Sequence, residues 1–121
     1  MDAKEKIKEG VQLYFDSMYE SDPEKVRQAF HSNAMITGYL ETGLAEMTVD
    51  EFAECVENQN PSPKEKGDEI LLEIVSCDIA GSTASVSVRD GYIGHVFLDT
   101  LSFLEKDGEW KIYNKLFHVE S

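Results

Sequence analysis

The chain is short of positive charge: 11 Lys and Arg stand against 24 Asp and Glu, a formal net charge of −13 at pH 7. Such a balance repels phosphate backbones and anionic headgroups, which argues against nucleic acid and membrane surfaces as partners. Its plainest consequence is solubility. Cysteine is scarce as well. Cys55 and Cys77 stand in unlike contexts without CxxC or zinc-type spacing, so they read as small buried thiols in a reducing cytoplasm. No apolar run approaches the roughly 20 residues that cross a bilayer, and the opening MDAKEKIKEG has no apolar signal core. Low-complexity segments and internal repeats are absent. What remains is a 121-residue chain, 41% hydrophobic and 10% aromatic, which excludes disorder and fits one domain over 1–121 with a core of its own.

The first half has helical periodicity. Ile7, Val11, Tyr14 and Met18 recur at helical spacing over residues 3–20, with Phe15 widening the stripe and Asp2 placed to cap it. Asp22-Pro23 opens a second helix with Val26, Ala29 and Phe30 on its apolar edge. An extended piece, Ala34 to Leu40, follows His31-Ser32-Asn33, and Thr42-Gly43 turns the chain. Thr48-Val-Asp-Glu51 is a capping box for a helix that buries Phe52 and Val56. Asn58 to Gly67 reads as an exposed loop.

From Asp68 the pattern becomes extended: strands over 69–79 and 82–89, turns at Ala80-Gly81 and Asp90-Gly91, then a long hairpin from His95 to His118 around Lys106-Asp107-Gly108. Helices first and an antiparallel meander after them define an α+β domain, with helices packed on one face of the sheet. The hairpin is apolar on both parities, whereas a sheet with one wet face alternates cleanly. The reading is therefore a sheet covered on both sides, which meets something twice. A three-residue loop sets Asp99 opposite Lys115, a cross-strand pair; a two-residue loop sets Leu116 there instead.

The order of elements resembles the nuclear transport factor 2-like superfamily. Within it, AFHSNAMITG and the closing FLDTLSFLEKDGEWKIYNKLF resemble the putative lumazine-binding and SnoaL-like families, through the pattern D-x-L-x-x-x-x-x-x-G-x-W-K-I-x-N-K. The resemblance covers nearly the whole chain. It implies a cone: N-terminal helices on the concave face of a strongly curved, mainly antiparallel sheet, an internal pocket, and often a homodimer through the other sheet face. It also favours the register that turns Tyr113, Lys115 and Phe117 to the pocket and Trp110, Ile112 and Leu116 to the far face, where Val96, Leu98, Trp110 and Ile112 would meet the second copy. Ketosteroid isomerase, of the same superfamily, enolises a ketone with a carboxylate base and an oxyanion hole of tyrosine and protonated aspartic acid. Laid on this chain, its tyrosine falls on Tyr14 and its oxyanion aspartate on Asp99, but its base falls on Gly38. Without that base, ketosteroid isomerisation is not expected.

The expected ligand-binding set is Tyr14, Phe30, Phe52, Phe97, Asp99, Leu101, Tyr113, Lys115 and Phe117, with Asp99, Tyr14 and His31 as candidate catalytic groups. Asp99 either contacts ligand or pairs with Lys115. His31 at a helix end suits a structural role, and His95 and His118 suit a pocket mouth. Neither metal spacing nor a nucleophile elbow is present, so no metal or cofactor is expected. Three functions remain: a module binding a small flat or hydrophobic molecule, an isomerase, dehydratase or cyclase using a pocket Asp or His, and an inert dimeric scaffold.

Overall fold

A computed structural model describes residues 2–121. Helix α1 (Ala3–Tyr19) begins at Asp2, whose carboxylate accepts from the Glu5 amide at 2.9 Å. Helix α2 (Pro23–Ala29) begins at Asp22, which accepts from the Glu24 and Lys25 amides at 3.0 and 3.3 Å. Strand β1 (Phe30–Leu40) leaves α2 directly, then reverses into β2 (Gly43–Thr48). Helix α3 (Val49–Glu57) carries the expected capping box, Glu51 amide to Thr48 hydroxyl at 3.2 Å and Thr48 amide to Glu51 carboxylate at 2.9 Å. A short helix, α4 (Pro63–Lys66), follows, and then strands β3 (Leu72–Ala80), β4 (Thr83–Tyr92), β5 (His95–Lys106) and β6 (Glu109–Val119). Among the described residues no helix is long and apolar enough to cross a membrane.

The six strands form one curved, unclosed sheet in the order β2-β1-β6-β5-β4-β3, antiparallel throughout except where β1 meets β6. The fold is α+β. Its core joins Ile7, Val11, Tyr14 and Met18 of α1 to Val26 of α2, Phe52 and Val56 of α3, and Val86, Val88, Leu101, Phe103 and Ile112 of the sheet. Each large side chain buried this way stabilises the fold by about 1.5–3 kcal/mol.

Several expectations are corrected. Strand β2 and helix α4 lie where a turn and a loop were expected. The β4–β5 reversal falls on Ile93-Gly94, so Asp90 belongs to strand β4. The closing hairpin has a two-residue turn, Asp107 and Gly108 at φ 53° and 81°, with Lys106 opposite Glu109. This is the type of turn whose twist suits a hairpin, and it needs residues tolerant of positive φ. The register then shifts between Ser102 and Phe103: Phe103 faces Ile112, whereas Leu101 faces Lys115 and Asp99 faces Phe117. Tyr113 is the extra residue. A bulge reverses which parity points inward, so Ile112 is fully buried and Trp110 packs against the core, not on the far face. Tyr113 is turned out, 40% exposed. Cys55 is exposed on α3 because the buried stripe of that helix runs through Phe52, Ala53 and Val56; Cys77 is half-buried, and both thiols are free.

Candidate functional site

Tyr14 reaches the sheet from the buried stripe of α1. Its hydroxyl donates to Asp99 Oδ2 at 2.7 Å, and neither residue has any exposed surface. Burial, and then the neighbouring Asp90 and Asp99 charges, hold the phenol well above its ordinary pKa, so it stays a donor. The Tyr14 ring meets Phe30 edge-on at 5.9 Å, and Phe30 meets Phe52 edge-on at 5.8 Å. Across the sheet Phe97 meets Phe117 edge-on at 6.1 Å. Lys115, 5% exposed, sets its ammonium 4.7 Å from the Tyr14 and Phe52 ring centres and 5.6 Å from that of Phe117. It takes part in none of the ion pairs among the described residues. The expected Asp99–Lys115 pair is thus replaced by a cation held over aromatic faces.

Sequence reasoning missed Asp90. It is 1% exposed on β4, opposite Phe97, and Asp99 sits one step along the same face opposite Val88. The two carboxyls are therefore diagonal neighbours on adjacent strands. Burial, then the adjoining Asp99 carboxyl, push Asp90 up to about 9, with Lys115 and Tyr14 pulling the other way. At neutral pH it is an uncharged acid with a proton to donate. Both Asp90 oxygens and Asp99 Oδ1 are buried away from any N–H donor. As a neutral acid Asp90 has the Asp99 carboxyl as its hydrogen-bond partner, so the two acids satisfy one another in the apolar interior.

Eight of the nine expected ligand-binding residues come together on the concave side: Tyr14, Phe30, Phe52, Phe97, Asp99, Leu101, Lys115 and Phe117. Tyr113 does not, because the bulge rotates it outward. His31 also lies elsewhere. Its ring is 4.9 Å from Tyr113, its Nδ1 accepts from the Asn33 amide at 3.0 Å, and it borders a separate cleft of about 100 Å3 with Leu104 and Lys111. It cannot share a substrate with Asp99. His118 is exposed, whereas His95 does line the mouth of the cone. Around Tyr14 and Asp99 the side chains pack against one another; the open space, about 660 Å3, lies at that mouth, bordered by Tyr19, Leu71, Gly91, Tyr92, His95 and Val96. Asp90 does not itself border this cleft; the residues that follow it, Gly91 and Tyr92, do. Burial pushes the Tyr92 phenol up to about 12, so it too faces the cleft as a neutral donor.

Where the isomerase base would stand, no side chain fits. A Cβ on Gly38 would come 2.5 Å from the Phe117 carbonyl oxygen and 2.6 Å from its ring. Among the described residues no three His, Cys, Asp or Glu side chains gather as a metal site.

A cone of this topology around a buried polar patch defines a nuclear transport factor 2-like domain. Residues 2–118 match the family described as "Putative lumazine-binding", and the chain belongs to that family. Three solved structures, each described as a nuclear transport factor 2-like protein of unknown function, are similar to it. The one from Silicibacter pomeroyi is 22% identical with TM-score 0.88, over 99% of this chain and 100% of that one. The one from Shewanella baltica is 26% identical with TM-score 0.85, over 98% and 94%. The one from Methylobacillus flagellatus is 25% identical with TM-score 0.85, over 100% and 96%. No curated protein matches the chain.

Proposed function

We propose that this domain binds a small, flat organic molecule that enters at the mouth of the cone and is oriented by Tyr14, Asp90, Asp99 and Lys115. One observation carries the reading: a buried acid pair, Asp90 with Asp99, is set in an otherwise apolar, aromatic interior, and the chain next to Asp90 borders an open cleft. Phe97 and Phe117 supply apolar area, and the polar groups supply orientation. The family description points the same way. We place the protein in the cytoplasm, in keeping with its free thiols. We assign it a second copy through the convex sheet face, with Leu98 and Leu116 on that face and without Trp110 and Ile112.

A thermal-shift panel of pterins, flavins, steroids and small aromatic acids tests the binding reading. A ligand at 100 times its Kd raises native stability by about 2.7 kcal/mol. At least one class is expected to raise Tm in the wild type and to lose that effect in Asp99→Leu. A flat response across all classes, together with a crystal structure of protein taken straight from cells showing only water beside Asp99, rejects it. An enzymatic reading rests on one group: Asp90, as a neutral acid, suits proton donation in an isomerase, dehydratase or cyclase reaction. Turnover that disappears in Asp90→Asn while binding persists would select it.

A further inference from the structure

Two hairpins of the sheet turn on residue pairs with the same backbone geometry and different chemistry. Between β5 and β6 the pair is Asp107-Gly108, at φ 53° and 81°. Between β4 and β5 it is Ile93-Gly94, at φ 44° and 82°, with Tyr92 opposite His95. Positive φ at the first position suits Asn, Asp or Gly, whereas a β-branched side chain there crowds the backbone and costs stability. Burial does little to offset that cost, since Ile93 is 41% exposed. Strain that the fold does not use points to a use at a site. Ile93 stands on the rim of the cleft of about 660 Å3, and so do Ile70 and Leu71, 63% and 37% exposed. The segment carrying these two is tied down at both ends. The Tyr19 hydroxyl donates to the Asp68 carbonyl at 2.8 Å, and the Gly91 amide donates to the Leu71 carbonyl at 3.0 Å. Branched aliphatic side chains are thus held at fixed positions, outside the core, around one opening.

We infer that Ile70, Leu71 and Ile93 form an aliphatic lip that takes a saturated hydrocarbon chain, so that the ligand is an uncharged amphiphile whose chain lies across the mouth. The inference rests on the reading above that a ligand enters here, and it adds a chain to the flat ring. A chain matches the lip because apolar burial is non-directional and grows with each methylene removed from water. The charges around the cleft argue against an acid such as a fatty acid. Lys66 on its border is engaged by Asp68 at 3.5 Å, and His95 has its Nδ1 3.3 Å from the Ser121 carbonyl oxygen. Glu69, also on the border, takes part in none of the ion pairs among the described residues. A carboxylate head would meet that charge on a chain that already carries −13.

The probes are para-alkylphenols from methyl to hexyl, each an uncharged flat ring with an unbranched chain. By calorimetry the wild type is expected to bind them more tightly with each methylene, by about three- to fourfold per step where the chain is fully covered. Ile93→Gly relieves the positive φ and removes one side of the lip. It is expected to raise Tm by a few degrees while weakening hexylphenol on the order of fivefold or more, with methylphenol changed less than about twofold. Ile70→Ser, at an exposed position, is expected to weaken hexylphenol in the same way and to leave Tm unchanged. Affinity that does not depend on chain length overturns the lip and leaves the binding reading standing. Binding of a class in the thermal-shift panel with none of the phenols does the same. An Ile93→Gly variant that lowers Tm with hexylphenol affinity intact makes Ile93 a packing residue and overturns the inference. One that alters sedimentation with that affinity intact assigns the lip to a second copy and also overturns it. No binding by the phenols or by any class of the panel defeats the reading on which the inference rests.

Discussion

Asp90 has its folded pKa above its unfolded one, because burial and Asp99 favour the neutral acid. The native state therefore holds a proton that the unfolded chain releases above the ordinary carboxyl range. Its contribution to stability is fully present below about pH 4 and is lost as pH rises towards 9, by at most about 1.4 kcal/mol per unit. Asp90→Asn removes that dependence. Its stability advantage over the wild type is expected to grow from pH 5 to pH 9 in urea unfolding, and a constant difference would place the Asp90 proton elsewhere. Tyr14→Phe acts in the opposite sense: it removes the 2.7 Å hydrogen bond that Asp99 accepts from the phenol and is expected to cost about 1–3 kcal/mol. A substitution within 0.5 kcal/mol (~0, on the scale of surface changes) would mean that the carboxylate is satisfied without the phenol. Tyr14 and Asp99 were legible in the sequence, one as a hydroxyl on an apolar helix stripe, the other from the family pattern. Asp90 was legible too, since it extends the parity of Ala84, Val86 and Val88, but Asp-Gly is a strong turn signal. Here the sheet ladder prevails over that local preference and the turn moves on to Ile93-Gly94.

The elements follow local chemistry wherever a cap or stripe is present, as at Asp2, Asp22 and Thr48. Helix α4 obeys the same rule through a second capping box, Ser62 with Glu65, at bonds of 3.1 Å each way. Its proline-rich surroundings hid it. What no periodicity conveys is a bulge. Strand β6 changes its inward parity at Tyr113, from Trp110 and Ile112 to Lys115 and Phe117. Strand β3 does the same at Val75, from Leu72 and Ile74 to Cys77. Each strand thus appears apolar on both parities although one face is buried. Two covered faces and a bulged strand share this signature. A further tight point is Gly38 on β1, which lies against Phe117 where β1 runs parallel to β6. Gly38→Ala would drive a methyl into the Phe117 carbonyl, which must shift with its strand. A loss of about 3 kcal/mol in urea unfolding is expected, the upper end for overpacking. If Gly38→Ala is neutral, β1 and β6 can separate without cost, and the cone is less tightly built there than described.

At the scale of the whole molecule, the bulges weaken the original argument for a partner, because Trp110 and Ile112 no longer need one. Among the apolar residues that remain on the convex face are Leu98, half-buried beside Arg89 and His118, and Leu116, 48% exposed between Thr37 and Thr100. Exposed apolar groups at the centre of a sheet face suit a self-complementary contact, in which the same patch serves both copies. Charge opposes it, since each chain carries −13 and a dimer brings two such fields together. The balance is testable because salt screens the repulsion, and leaves apolar burial largely intact. Sedimentation at micromolar concentration is expected to show more dimer at about 0.5 M salt than at about 0.05 M, where the screening length is several-fold longer. The double variant Leu98→Glu with Leu116→Glu is expected to be monomeric at both, with any ligand response unchanged because the proposed binding patch lies on the concave side. A wild type that stays monomeric at high salt removes the second copy from the picture. The cone with its buried acid pair then stands as a single chain.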